Sequence, residues 1–349
     1  MSLPAWLDKP WSDLVGRLDR LPHGILLTGP VGVGKRMLAE ALAARLLCTE
    51  ASGTQAACGR CAGCRLRLAG THPDLHVVVP EAEQEEAEGA SPRKSGKPSS
   101  QILIEQIRAL QSALELTAHM GGRRVVLIDP ADAMNHFTAN ALLKLLEEPP
   151  AATHLVLVSS APRRLLPTLR SRCQNWSIGQ PDGELARAWL ADFADDGATR
   201  LSGLLGGSPL EAARLAGQGV GAALHRFEGD LSGIRVDADV LALAGNWEAW
   251  SRSKDGLAAG IDMPRLSDWM LRWCWDLVAS KCGVNVRYFD GQRQVMARLV
   301  EPVPLPRLFD CYNEISQVRR SATHPLNMRL ALEDMLLRYQ QCLSGGKLP

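Results

Sequence analysis

Gly24-Ile-Leu-Leu-Thr28-Gly29-Pro-Val-Gly-Val-Gly34-Lys35-Arg36 is the stretch that decides the fold. A short apolar run ends in G-x-x-x-x-G-K, and a helical pattern follows over 35–47. Strand, glycine-rich turn and helix, in that order, aim backbone N–H groups and a lysine at a phosphate. Gly29, Gly34 and Lys35 are therefore the candidate phosphate-binding residues. The next position departs from the motif. Arg36 stands where a Ser or Thr hydroxyl would hold Mg²⁺, and a guanidinium has no oxygen to offer a metal.

Working outward, apolar runs at 75–79, 124–129 and 154–160 repeat the strand signal, and 175–178 is a fifth candidate. Helical patterns at 35–47, 102–119 and 131–146 separate them. Continuous apolar strands alternating with helices predict a parallel sheet covered on both faces. After Gln180 the strand signal stops. Helical windows at 183–193, 198–205 and 209–217 precede longer ones at 247–253, 265–281, 292–300, 306–321 and 326–343. The expected architecture is α/β plus α: an α/β domain over 1–178, a small helical lid over 179–219 and a C-terminal helical domain over 220–349. Residues 80–101 are rich in Glu, Ser, Gly, Pro and Lys without apolar periodicity, and read as a disordered surface loop. Trp269 and Trp273, four apart on one helix, read as core.

A second acidic element, Val125-Val-Leu-Ile-Asp129-Pro130, ends one of the apolar runs. Asp129 occupies the place of a metal-linked carboxylate. Related ATPases follow it with a glutamate that polarises the attacking water; Pro130 has no side-chain base. Two parts missing from one site point to a nucleotide fold that no longer hydrolyses.

Four of the nine cysteines lie close together, as Cys48 and Cys58-x-x-Cys61-x-x-Cys64 (the insertion at 48–64). Four thiolates complete a tetrahedral Zn²⁺ site with no open position, hence a structural one. An iron–sulfur cluster is the alternative. His72 and His76 read as strand-flanking residues rather than ligands. The other five cysteines are scattered, and an odd total argues against a disulfide framework.

Composition narrows the classes. The 349 residues carry 39 Lys+Arg against 38 Asp+Glu, a net charge of +1, with 46% hydrophobic residues. That is an ordinary globular mixture for two or three domains. No apolar run approaches the roughly 18 residues of a membrane span. Asp8, Lys9 and Asp13 stand where a signal peptide would be apolar, so a cytoplasmic protein with no membrane partner is expected. Balanced charge also weighs against a zinc-dependent module that binds nucleic acid on its own.

With these residues in hand the chain resembles the clamp-loader subunits of bacterial DNA polymerase III, within the AAA+ class. The resemblance is carried by Leu21–Leu27, the phosphate loop, the four cysteines, Val126–Asp129, Asn140-Ala-Leu-Leu-Lys-Leu-Leu-Glu-Glu-Pro-Pro150 and Ser171-Arg-Cys173. The C-terminal third matches only in length and helical character. The resemblance implies an AAA+ P-loop domain with a zinc insertion, a helical lid and a C-terminal oligomerising collar. Arg36, Pro130 and Leu210, the last where a lid arginine would fall, resemble the non-hydrolysing delta-prime branch, with weak or no ATP binding. Retained Ser171-Arg172-Cys173 implies that Arg172 acts in trans, in a neighbour's ATP site. The implied partners are gamma/tau and delta subunits in a hetero-pentamer, and, through that complex, the sliding clamp and primer-template DNA. The alternative is an ATPase motor subunit, gamma/tau-like, of the same loader.

Overall fold

The protein is described from a computed structural model, which covers residues 3–83, 99–115, 120, 122–192, 196–234, 238–322 and 327–343. The expected disordered loop at 80–101 falls for the most part, at 84–98, outside the described residues. The chain forms two compact units, Met1–Asp182 and Gly183–Pro349.

In the first unit, β1 (Gly24–Thr28), β2 (Leu75–Val78), β3 (Arg124–Ile128), β4 (Thr153–Ser159) and β5 (Gln174–Ser177) make one sheet in the order β2-β3-β4-β1-β5. Every pairing is parallel. The apolar strands alternate between two cores. Ile25, Leu27, Val125, Leu127, Val156 and Val158 face one core, shared with Leu38, Leu42 and Leu46 of α2 (Lys35–Leu47) and Leu14 of α1 (Asp8–Val15). Leu26, Val126, Ile128, Leu155 and Leu157 face the other. That face is covered by α4 (Ile104–Glu115) and α5 (His136–Glu147), a short α3 (Ala62–Leu68) having intervened in the chain. Both faces are dry, which is why these strands read as unbroken apolar runs. Edge strand β5 is mostly exposed and correspondingly polar.

Two boundaries differ from expectation. The helix expected from 131 begins at His136, because Asn135 caps it: the Asn135 side chain accepts from Thr138 N at 2.9 Å. Residues Ala131–Ala133 make a 3₁₀ turn instead. Helix α1 has no counterpart in the sequence reading; its apolar face is only a turn or two long.

The second unit contains helices and connecting loops, with no strand among its described residues. It comprises α7 (Gly183–Ala191), α8 (Asp196–Leu204), α9 (Pro209–Ala216), α10 (Val220–Ser232), α11 (Val240–Arg252), α12 (Lys254–Ala258), α13 (Met263–Lys281), α14 (Arg293–Val300), α15 (Leu305–Ser321) and α16 (Met328–Leu343), after a short α6 (Pro167–Arg170) in the first unit. Most of its buried apolar side chains form one cluster reaching from Leu190 to Cys342. Trp269 and Trp273 are core, as their spacing implies, packed edge-on around Phe227. Trp273 also donates its indole N–H to the buried Tyr339 hydroxyl at 2.8 Å. Cys274, Cys311 and Cys342, far apart in sequence, are all buried here, with 3.8 Å between the Sγ atoms of the first two. No helix among the described residues is long and apolar enough to cross a membrane.

One fully buried carboxylate organises this unit. Asp276 accepts from the backbone N–H groups of Arg287, Tyr288 and Phe289, each at 2.8 Å. Its removal strands those donors. Asp276→Ala is expected to cost about 3 kcal/mol or more of stability, measured as a lowered urea midpoint. A midpoint within error of wild type would show the loop to be held by other means.

Candidate functional site

The glycine-rich loop leaves the carboxyl end of β1, where neighbours β4 and β5 lie on opposite sides and the strand order reverses. Open α/β sheets place ligands at such a switch point. Gly29 has φ +154°, and a Cβ there would sit 2.1 Å from the Ile178 carbonyl oxygen, so no other residue fits. Gly34 has φ +98° and precedes the first turn of α2. Trp6 holds the loop from the N-terminal side, donating its indole N–H to Val33 O at 3.0 Å.

Within this loop the lysine is turned onto its own backbone. Buried Lys35 donates from Nζ to Gly29 O at 2.9 Å and Pro30 O at 2.5 Å. Burial lowers its pKa, opposed by the charges of Asp129 and Asp132. Arg36 makes a cluster of its own: Glu40 at 3.1 Å, Glu83 at 3.4 Å and Asp129 at 3.6 Å. Burial pushes the Asp129 carboxyl up to about 6, with Arg36 pulling the other way. A guanidinium thus lies beside the carboxylate that would face a metal ion. These residues do not fit a Mg²⁺–nucleotide: a cation is already there, the hydroxyl ligand is absent, and Pro130 offers no base. Asp132 does separate work, accepting from Ser159 Oγ at 2.5 Å and Ser160 N at 3.0 Å, which ties the ends of β3 and β4 together.

Sequence reading missed Glu40, Glu83, Asp132 and Trp6. Glu40 was open to it, since i,i+4 charge pairing on a helix is a readable pattern. Glu83 lies 47 residues from Arg36 and left no local signal.

The cysteine cluster assembles as expected. Cys48 follows α2, Cys61 is the N-cap of α3, and the four Sγ atoms of Cys48, Cys58, Cys61 and Cys64 lie within 4.8 Å of one another. Cys48 and Cys61 are 3.9 Å apart and Cys58 and Cys64 4.0 Å. Zn–S bonds of about 2.3 Å in a tetrahedron put sulfurs about 3.8 Å apart, so the set fits. Backbone N–H groups of Cys58, Cys61 and Cys64 point at these sulfurs at 3.3–3.4 Å, which suits thiolates. Burial disfavours the charged form throughout; at Cys61 the Cys64 N–H and Thr49 outweigh it, while Cys64 is pushed up. His72 is no ligand: it is buried, and its Nδ1 accepts from Asp74 N at 3.1 Å. His76 is outside the cluster as well.

Arg172 follows α6 at the surface. Its Nη2 pairs with Glu147 Oε1 at 2.7 Å and its Nη1 donates to Thr168 O at 2.9 Å. In the Asn140–Pro150 motif Leu142, Leu145 and Leu146 are core, and the prolines follow the end of α5.

Comparison with known proteins adds to this geometry. A family model described as "DNA polymerase III, delta subunit" matches residues 14–182. The DNA polymerase III subunit delta' of Pseudomonas aeruginosa is 42% identical over 353 residues, covering 98% of each chain. The subunit of the same name from Escherichia coli K12 is 29% identical, over 98% of this chain and 96% of its own. A solved structure of a DNA polymerase III gamma subunit-related protein from Thermotoga maritima aligns with a TM-score of 0.47 at 17% identity, covering 95% of this chain and 99% of that one. The similarity to the two delta' subunits, each over 98% of this chain, runs through the C-terminal third, where motifs alone gave only length and helical character. The chain belongs to the delta' subunit family of DNA polymerase III.

Proposed function

We propose that the chain is the non-hydrolysing delta-prime member of a sliding-clamp loader. It holds the loader together and lends Arg172 to the ATP site of a neighbouring motor subunit, so that ATP drives loading of the clamp onto primer-template DNA in the cytoplasm. Gamma/tau and delta subunits are the partners, in a hetero-pentamer. The α/β domain would carry the finger, residues 179–219 the lid, and residues 220–349 the oligomerising collar.

One observation carries the non-hydrolysing part of this reading: the contact between Arg36 and Asp129 at 3.6 Å. The site holds its own positive charge in place of a metal ion, and its lysine rests on its own loop. The motor alternative would need a metal ligand and a base that these residues do not supply. Nucleotide binding at Gly29, Gly34 and Lys35 is correspondingly weak or absent. Cys48, Cys58, Cys61 and Cys64 would hold a structural Zn²⁺, whose chemistry is to cross-link a segment too short for a core of its own.

The isolated chain is expected to show no ATP turnover, and to co-elute with gamma/tau and delta in size-exclusion chromatography. Turnover in a preparation free of contaminating ATPases, abolished by Lys35→Ala, would refute the reading and favour the motor.

A further inference from the structure

We infer that Glu147 is a positioning residue for Arg172, setting the plane of the guanidinium that is presented to the neighbouring ATP site. The inference rests on the trans-acting reading of Arg172 above. An exposed arginine at a chain corner samples many rotamers, and a transferred phosphoryl group needs it in one. Here two anchors take two different nitrogens: Glu147 Oε1 holds Nη2 at 2.7 Å and the Thr168 carbonyl holds Nη1 at 2.9 Å. Two fixed points define the plane of a rigid fork.

The anchors are themselves fixed. Glu147 is the last residue of α5. The carbonyl before it, Leu146 O, is hydrogen-bonded to His23 Nε2 at 3.0 Å, just ahead of β1. At Gly24 a Cβ would lie 2.9 Å from Arg172 O and 3.1 Å from Leu146 Cδ2. The start of β1, the end of α5 and the Ser171–Cys173 segment therefore meet without room for a methyl group. Buried Cys173 closes the contact from the far side, 3.4 Å from the same point. Both side chains of the pair are part-exposed, 37% and 48%, so the pair adds little to stability and its effect lies in orientation.

The test uses the assembled loader with clamp and primed DNA, in four forms: wild type, Glu147→Gln, Arg172→Ala and the double variant. Glu147→Gln is expected to slow single-turnover ATP hydrolysis at one site by about two- to fivefold, the scale of a part-exposed ion pair. KM for ATP and the melting temperature should not move. The deficit should shrink as salt rises from about 50 to about 500 mM, because the wild-type pair is then screened too. In the Arg172→Ala background Glu147→Gln should add nothing. A wild-type rate for Glu147→Gln beside a slow Arg172→Ala overturns the inference and leaves the finger reading standing. An equal loss in the Arg172→Ala background overturns it as well, since Glu147 would then act on its own account. A wild-type rate for Arg172→Ala removes the finger reading itself, and the inference with it.

Discussion

Arg172→Ala in the assembled loader is expected to slow ATP hydrolysis at one site by about 10³-fold or more, the lower end of the range for trans arginine fingers. The isolated chain should stay folded, because the side chain is part-exposed and its partners, Glu147 and the Thr168 carbonyl, can turn to water. Assembly should survive for the same reason. On the proposed trans reading, what would be lost is positive charge aimed at a phosphoryl group in another subunit, in a low-dielectric site where each charge counts for more. Steady-state turnover then falls by the share of the affected site, while single-turnover measurements resolve a slow phase. Arg172→Lys should recover little, since an ammonium cannot make the planar two-pronged contact. A mutant loader that hydrolyses ATP at the wild-type rate with normal assembly would reduce Arg172 to surface charge.

Cys61→Ser should have the largest effect on structure. Cys61 is one of four sulfurs within 4.8 Å and also the N-cap of α3, accepting from Cys64 N at 3.4 Å. Among the described residues, Ala51, Ala57 and Cys58 are the partly buried apolar neighbours packed against the cluster, too few to hold residues 48–68 by burial. On the proposed zinc reading a bound metal supplies the folding energy instead, and structural Zn²⁺ in short modules supplies on the order of 10 kcal/mol. Wild-type protein is expected to contain about one zinc per chain. Cys61→Ser should lose it and become rapidly cleaved by protease between 49 and 60, while the sheet unfolds at nearly its former temperature. The exposed Cys282 provides the control, and Cys282→Ser should change neither zinc nor cleavage. Metal-free protein with an intact, protease-resistant 48–68 segment would overturn the assignment.

Much of the fold was legible because its determinants are local. The apolar runs at 24–28, 124–128 and 154–159 identify strands buried on both faces, and the glycines before Lys35 mark the turn between strand and helix. The cysteine set was legible for the same reason: Cys61 and Cys64 lie on one short helix and its cap, and Cys58 stands three residues before that cap. Helix α1 was not, because an eight-residue helix leaves little periodicity to count. The start of α5 was readable in principle from Asn135, but Pro130 and Asp132 five and three residues earlier mimic the same start signal.

The sequence by itself determined which parts a nucleotide site lacks here: a hydroxyl at Arg36, a base at Pro130. Such absences are properties of single positions in a local motif and need no fold to be seen. Only the tertiary structure decided what stands in their place. The order β2-β3-β4-β1-β5 brings the ends of β1 and β3 close enough for Arg36 to meet Asp129, ninety-three positions away in the chain. The same crossovers set Glu147 beside Arg172, and helix packing sets Asp276 under the loop at 287–289. A pair of charges three or four residues apart on a helix is written in its spacing. A pair joined by a sheet crossover is not, because a sequence records each strand's pattern and not which strand lies beside it.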